Sequence, residues 1–250
     1  MARVIIPLPS QDFEPTEVAV PWKCLRDAGI DVVFATPDGR PARCDALALE
    51  GVVFGQIGAR PQDAATYREL EQDPAFRNPI AYEAIDVTTF DALHLPGGHA
   101  PGMKPYLEST VLQARVAEFF ASDKPVSAIC HGPVLLARTQ DPTTGKSVLE
   151  GRRVTGLTKL LERSGFWLTR WTLGRRFRTY PAYVQDEVAS AVGDAKKFQR
   201  GPIVPSYGNP FTVRDGNLLT ARWPGDAKKL GEQLVDMVHE TTVQRTTVTD

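Results

Sequence analysis

The sequence predicts an α/β domain built on a doubly wound, mostly parallel sheet. Three observations carry this. Short apolar runs alternate with segments of helical period along the chain. Two of the runs end directly in glycine turns, Leu95-Pro96-Gly97-Gly98 and Ile129-Cys130-His131-Gly132. No internal repeat or linker divides the 250 residues, so residues 1–240 read as one domain and 241–250 as a flexible, Thr-rich tail.

Taken in order, Arg3 to Leu8 is a short buried strand closed by prolines. Pro15 to Ala28 is a helix whose apolar residues Val18, Trp22 and Leu25 recur at four- and three-residue steps, with Gly29 as its stop signal. Asp31 to Ala35 is a second strand, ended by the turn Thr36-Pro37-Asp38-Gly39. Residues 40–80 are irregular apart from a helix around Gln62 to Gln72. Strands follow at Ala92–Leu95, Val126–Ile129 and Arg153–Gly156, with helices over Leu107–Ser122 and after Pro133. Asp215-Gly216 between Phe211–Val213 and Asn217–Thr220 is a hairpin signal, and Pro224 to His239 is the last helix. In a doubly wound sheet, ligands sit at the carboxyl ends of the strands, which is where both glycine turns fall.

Bulk properties narrow the function. The formal net charge of −1 gives no drive toward nucleic acid or an anionic membrane, and no apolar stretch is long enough to span a bilayer. Three cysteines, Cys24, Cys44 and Cys130, with no C-x-x-C pair, predict a reducing, cytoplasmic setting rather than a disulfide framework. Gly145-Lys146-Ser147 resembles the end of a P-loop, but Gln140 stands where the motif needs glycine. The four histidines show no metal-ligand spacing, and no cofactor motif is present.

Cys130 is the residue with chemistry written around it. Ala128 two before and Gly132 two after are the small residues that a sharp strand-to-helix turn needs, so the turn should lift an exposed thiol above the sheet. The helix N-terminus behind it should favour the thiolate. The His131 N–H is placed like an oxyanion-hole donor, and the Gly97-Gly98 turn offers a second through Gly98. His99 fits either the mouth of such a site or the turn itself. Cys24 reads as core and Cys44 as a loop residue.

Leu95-Pro96-Gly97-Gly98-His99 and Ala128-Ile129-Cys130-His131-Gly132-Pro133 resemble the two signature turns of the DJ-1/PfpI superfamily, most closely its Hsp31-like branch with the glutathione-independent glyoxalases. Glu17-Val18-Ala19-Val20-Pro21-Trp22, Phe34 to Gly39 and Phe211 to Thr220 extend the likeness from Val4 to about Val238. The resemblance implies a flavodoxin-like three-layer sandwich, a homodimer and a cofactor-free site. In it, Glu17 meets Cys130 as a protonated partner or proton shuttle, and His131 is the histidine beside the nucleophile. Glu162 is the third, orienting acid, although Lys159-Leu160-Leu161-Glu162 departs from the polar pattern usual there. Gly97, His99 and Trp22 fall on the substrate side.

The function implied is conversion of a 2-oxoaldehyde such as methylglyoxal to a 2-hydroxy acid without glutathione. Two other uses of the same cysteine compete with it. One is hydrolysis or hydration at a carbon–nitrogen bond, as in amidases, peptidases and isonitrile hydratases. The other is a stress chaperone or oxidation sensor. Residues 164–181, rich in aromatics and arginines, have no counterpart in the simplest members and read as an inserted or elaborated segment: a lid, a subunit surface or a decorated helix.

Overall fold

The computed structural model describes residues 1–51, 58–178 and 180–248. Nine strands are present among them: β1 (Arg3–Pro7), β2 (Gln11–Phe13), β3 (Asp31–Thr36), β4 (Arg43–Cys44), β5 (Ile80–Ala81), β6 (Ala92–Leu95), β7 (Val126–Ile129), β8 (Thr212–Asp215) and β9 (Leu218–Ala221). Seven form one sheet in the order β5-β3-β1-β6-β7-β9-β8, parallel except for the last pair, and β2 and β4 form a separate small sheet. The central strands β6 and β7 are buried along their whole length and apolar except for His94 and Ser127, as a parallel sheet between helical layers requires.

The chain starts at β1, builds outward through β3 and β5, then returns to β6 on the other side of β1 and continues through β7. That reversal makes the gap between β1 and β6 the topological switch point, and a crevice opens outside the strand ends there. Helix α1 (Pro15–Asp27) follows β1. The shorter helices α2 (Ala46–Glu50), α3 (Pro61–Leu70), α4 (Pro74–Arg77) and α5 (Lys104–Leu107) come next in the chain, and α1 packs against α3 and against α10 (Ala227–Val248). Helix α6 (Thr110–Ala121) connects β6 to β7, and α7 (Gly132–Arg138) leaves the end of β7 and packs on both α6 and α9 (Val184–Ala191). Between α7 and α9 runs α8 (Lys159–Leu173), N-capped by Thr158, whose hydroxyl accepts from the Leu161 N–H.

Three expectations need correction. Arg153–Gly156 is not a strand. Val154 makes one isolated bridge to Phe198, and the Thr155 N–H goes to the Thr220 hydroxyl, because β8 has already taken the free edge of β9. Helix α10 does not fray at Glu240 but runs to Val248; no glycine or proline stops it, and the hydroxyls of Thr241 and Thr242 bond back to the Met237 and Val238 carbonyls. Residues 249 and 250 of the expected tail lie outside the described residues. Ser164 to Leu173 is the continuation of α8 rather than an insertion. Gly174, at φ +59°, then ends the helix, and a strap over 174–183 follows, within which Thr179 lies outside the described residues.

One buried ion pair locks the sheet end to α10. Arg222, 1% exposed, donates through Nε and Nη2 to both oxygens of Asp226, 0% exposed. The carboxylate also accepts from the Phe211 and Arg222 backbone N–H groups. Removing one partner strands a buried charge, so Asp226→Ala should lower the unfolding free energy in urea by about 3–5 kcal/mol. The double variant Arg222→Met/Asp226→Leu should lose less than the single one.

Candidate active site

The site is assembled from the carboxyl ends of three neighbouring strands. Glu17 follows β1, the Gly97-Gly98 turn follows β6, and Cys130 follows β7. Cys130 has φ +59°, a left-handed conformation that costs a residue with a Cβ about 1–3 kcal/mol. Hydrogen bonds on both sides hold it there. Its N–H extends the β7–β9 ladder to the Ala221 carbonyl at 3.1 Å, and its carbonyl accepts from the Leu157 N–H at 3.1 Å. Gly132 makes the reversal feasible, because a Cβ there would lie 2.3 Å from the Leu95 carbonyl oxygen. Gly97 is required for a similar reason. A Cβ would sit within 2.8 Å of the His131 nitrogen, the Cys130 Cβ and a Glu17 oxygen, so its bareness lets all three converge.

The elbow is as expected, but the thiol is not exposed. Cys130 is 0% accessible and His131 4%. Burial, with the negative field of Glu17 and Glu14, pushes the thiol well above its ordinary range, and only the His131 N–H pulls toward the thiolate. Glu17, also fully buried, is raised well above the usual carboxylate range by desolvation and by Glu14. Its Oε2 accepts from the Gly97 N–H at 2.9 Å. Its Oε1 has no hydrogen-bond partner of ordinary geometry among the described residues, and the Cys130 thiol is the group it interacts with. His131 Nδ1 lies 3.4 Å from Cys130 Sγ, and burial keeps the ring neutral. Burial thus favours the neutral form of thiol, carboxyl and imidazole alike around this one sulfur.

The backbone of Glu17 is fixed by a network that sequence reasoning missed. Pro21 lies inside α1, four residues after Glu17, and has no N–H to give the Glu17 carbonyl. His94 fills the gap, with Nε2 2.9 Å from that oxygen. Because a carbonyl only accepts, Nε2 carries the proton and Nδ1 accepts from the Ser127 hydroxyl at 2.8 Å. Burial lowers the His94 pKa to about 4, keeping this neutral tautomer. A proline four residues after a site acid, paired with a histidine on a buried strand, was the available signal.

The remaining predicted residues separate. His99 packs edge-to-face on His131, centroids 5.1 Å apart, and burial lowers its pKa to about 4. It belongs to the site. Gly98 lies against the Asp12 backbone and Met103. Trp22, 1% exposed, sits on the apolar stripe of α1 with Val18 and Leu25, with the Arg26 guanidinium 5.1 Å from its ring centre. Glu162 does not reach His131. Its oxygens are taken by Arg178 at 3.1 Å and the Val184 N–H at 3.0 Å, and burial raises it to about 7.

That pairing belongs to the strap, which crosses the site with successive side chains. Arg176 donates to Asp12 and Asp45. Phe177 packs on His99 at 5.8 Å, and Arg178 holds Glu162. Asp12, itself at φ +73°, also accepts from the Gly102 N–H and so ties the strap to the turn carrying Gly98.

Glu14 caps α1 by accepting from the Glu17 N–H at 2.7 Å, and burial pushes it up to about 8. A carboxyl with a raised folded pKa binds more protons folded than unfolded. Its contribution to stability therefore falls as pH rises from its unfolded value, 4.5, toward 8. Glu14→Gln keeps an accepting oxygen and removes the titration. In urea titrations at a series of pH values, wild type should lose stability relative to this variant between about pH 5 and 8; parallel curves would refute the assignment.

Comparison with known proteins agrees with this architecture. The glutathione-independent glyoxalase hsp3101 of Schizosaccharomyces pombe is 28% identical over 221 residues, covering 88% of this chain and 84% of that one. A deglycase of Pyrococcus abyssi is 26% identical, covering 90% and 92%. The crystal structure of glyoxalase III from Candida albicans superposes with a TM-score of 0.69 at 20% identity, over 94% of this chain and 97% of that one. The family model described as ThiJ/PfpI family-like matches residues 8–202. The chain therefore belongs to the ThiJ/PfpI family, within the DJ-1/PfpI superfamily that its two signature turns resemble.

Proposed function

We propose that the protein is a glutathione-independent glyoxalase that converts a small 2-oxoaldehyde, of which methylglyoxal is the simplest, to the 2-hydroxy acid. The convergence of Cys130, Glu17 and His131 at one buried point carries this reading. The relatives named glyoxalases support it.

The geometry suggests a division of labour. His131 Nδ1, beside the sulfur, takes the thiol proton as Cys130 adds to the aldehyde carbon. The His131 N–H and the Gly98 N–H hold the oxygen of the resulting hemithioacetal. Glu17 gives its proton to that oxygen and, now a carboxylate, removes the C1 proton, and an enediol forms. The proton is returned at C2, leaving a thioester on Cys130. Water hydrolyses the thioester, releasing the 2-hydroxy acid and restoring the thiol. A buried carboxyl with a raised pKa suits the carbon proton because, once ionised, it is a stronger base than an exposed carboxylate. Arg176, Phe177 and Arg178 limit substrate size by covering the site. A homodimer in the cytoplasm completes the reading.

Relatives named deglycases favour a second reading, in which the same thiol removes the aldehyde from its adducts. An oxidation sensor fits less well with a thiol that is fully covered and raised in pKa.

Turnover without glutathione should fall by at least ~10³-fold in Cys130→Ser. Glu17→Gln should lose kcat with little change in KM. Methylglyoxal carrying deuterium at C1 should show a primary isotope effect on kcat in single-turnover assays. Full activity in Cys130→Ser refutes the mechanism. Turnover of amides or preformed adducts without turnover of free methylglyoxal replaces the glyoxalase with a hydrolase or a deglycase.

A further inference from the structure

We propose that His99, Cys130 and His131 bind a single Zn²⁺ ion that reversibly blocks the nucleophile. The ligand atoms of these three side chains all lie within 4.8 Å of one another. They come from two different strand ends, with His99 after β6 and the Cys130-His131 pair after β7, so no spacing in the sequence shows them as a set.

The distances suit a tetrahedral ion. With Zn–S about 2.3 Å and Zn–N about 2.0–2.1 Å, two ligand atoms at a tetrahedral angle stand roughly 3.4–3.6 Å apart. Cys130 Sγ and His131 Nδ1 are 3.4 Å apart. The His99 ring, already in edge-to-face contact with His131, closes the third position with a shift on the order of 1 Å. One thiolate and two imidazoles are ligands that zinc takes readily, and three protein ligands leave a fourth position for water.

A second feature favours a cation here. Glu17, fully buried, interacts with the same sulfur and has one oxygen with no hydrogen-bond partner among the described residues. A cation on the sulfur gives that oxygen a counter-charge. The thiol must release its proton to the buffer on ligation. Zn²⁺ enters without change of oxidation state, so no reductant or oxidant is needed. While bound it occupies the electron pair that would attack an aldehyde, which makes the site a metal-sensitive off-switch for whatever reaction Cys130 performs.

The test uses the full chain, stripped with EDTA and desalted. Calorimetric titration with ZnCl₂ should give one ion per chain with proton release. Co²⁺ in its place should give a thiolate-to-cobalt charge-transfer band. Cys130→Ser should abolish that band. His99→Ala should weaken zinc binding at least ~10-fold, and His99→Gln, which keeps more of the ring's volume, should do the same in a chain of unchanged thermal stability. Cys24→Ser/Cys44→Ser should bind as wild type does. The proposal is overturned if no saturable binding occurs, if the His99 variants bind as tightly as wild type, or if binding is lost with Cys24 and Cys44. Because the readout is metal binding, the outcome is independent of whether methylglyoxal is the substrate.

Discussion

Everything in the site depends on one backbone dihedral. Cys130 sits at φ +59° because its N–H must finish the β7–β9 ladder while its carbonyl turns to meet Leu157. From that single left-handed residue follow the direction of its sulfur, the departure of α7 and the closeness of Gly132 to the end of β6. The strain is local and the bonds that maintain it are distributed over β9, the loop after α7 and the neighbouring strand. Such a residue keeps an unfavourable conformation only where its surroundings over-determine it.

Around that elbow the protein has traded accessibility for proton control. A thiol in water would ionise readily but would share its protons with solvent. Here thiol, carboxyl and imidazole are all driven to their neutral forms by burial, and the only exchanges available are among themselves and with a bound substrate. The strap is part of the same arrangement. It reaches the site through Phe177 on His99 and is secured on either side by Arg176 and Arg178.

Much of this was legible in the sequence, for reasons that can be stated. The strand ends at Leu95 and Ile129 are short apolar runs followed by glycine, and that local pattern is sufficient to place Gly97, Gly98, Cys130 and His131 at one edge. Glu17 is not legible by pattern; the family resemblance supplied it. The helical spacing marks Trp22 as apolar-facing, which it is, but says nothing of what lies beyond that face. Glu162 was placed by chain position, and chain position could not show that Arg178 returns to claim it sixteen residues later. The burial of Cys130 was hidden for the same reason: Glu17 and the Gly97 turn reach it from distant parts of the chain. Arg153–Gly156 has the composition of a strand but finds no free strand edge to pair with.

The proline in α1 has a consequence for how this chain can change. Pro21 and His94 share no contact that either side chain's chemistry would advertise, yet one creates the vacancy that the other fills. The two positions, seventy-three residues apart, are therefore not independent in sequence space. A residue with an N–H at 21 would release position 94 from its duty as a donor. Loss of the histidine first would leave the buried carbonyl of Glu17 bare. The order in which the two substitutions arrive decides which of them is tolerated, so this segment of the active site can drift along one path and not along its reverse.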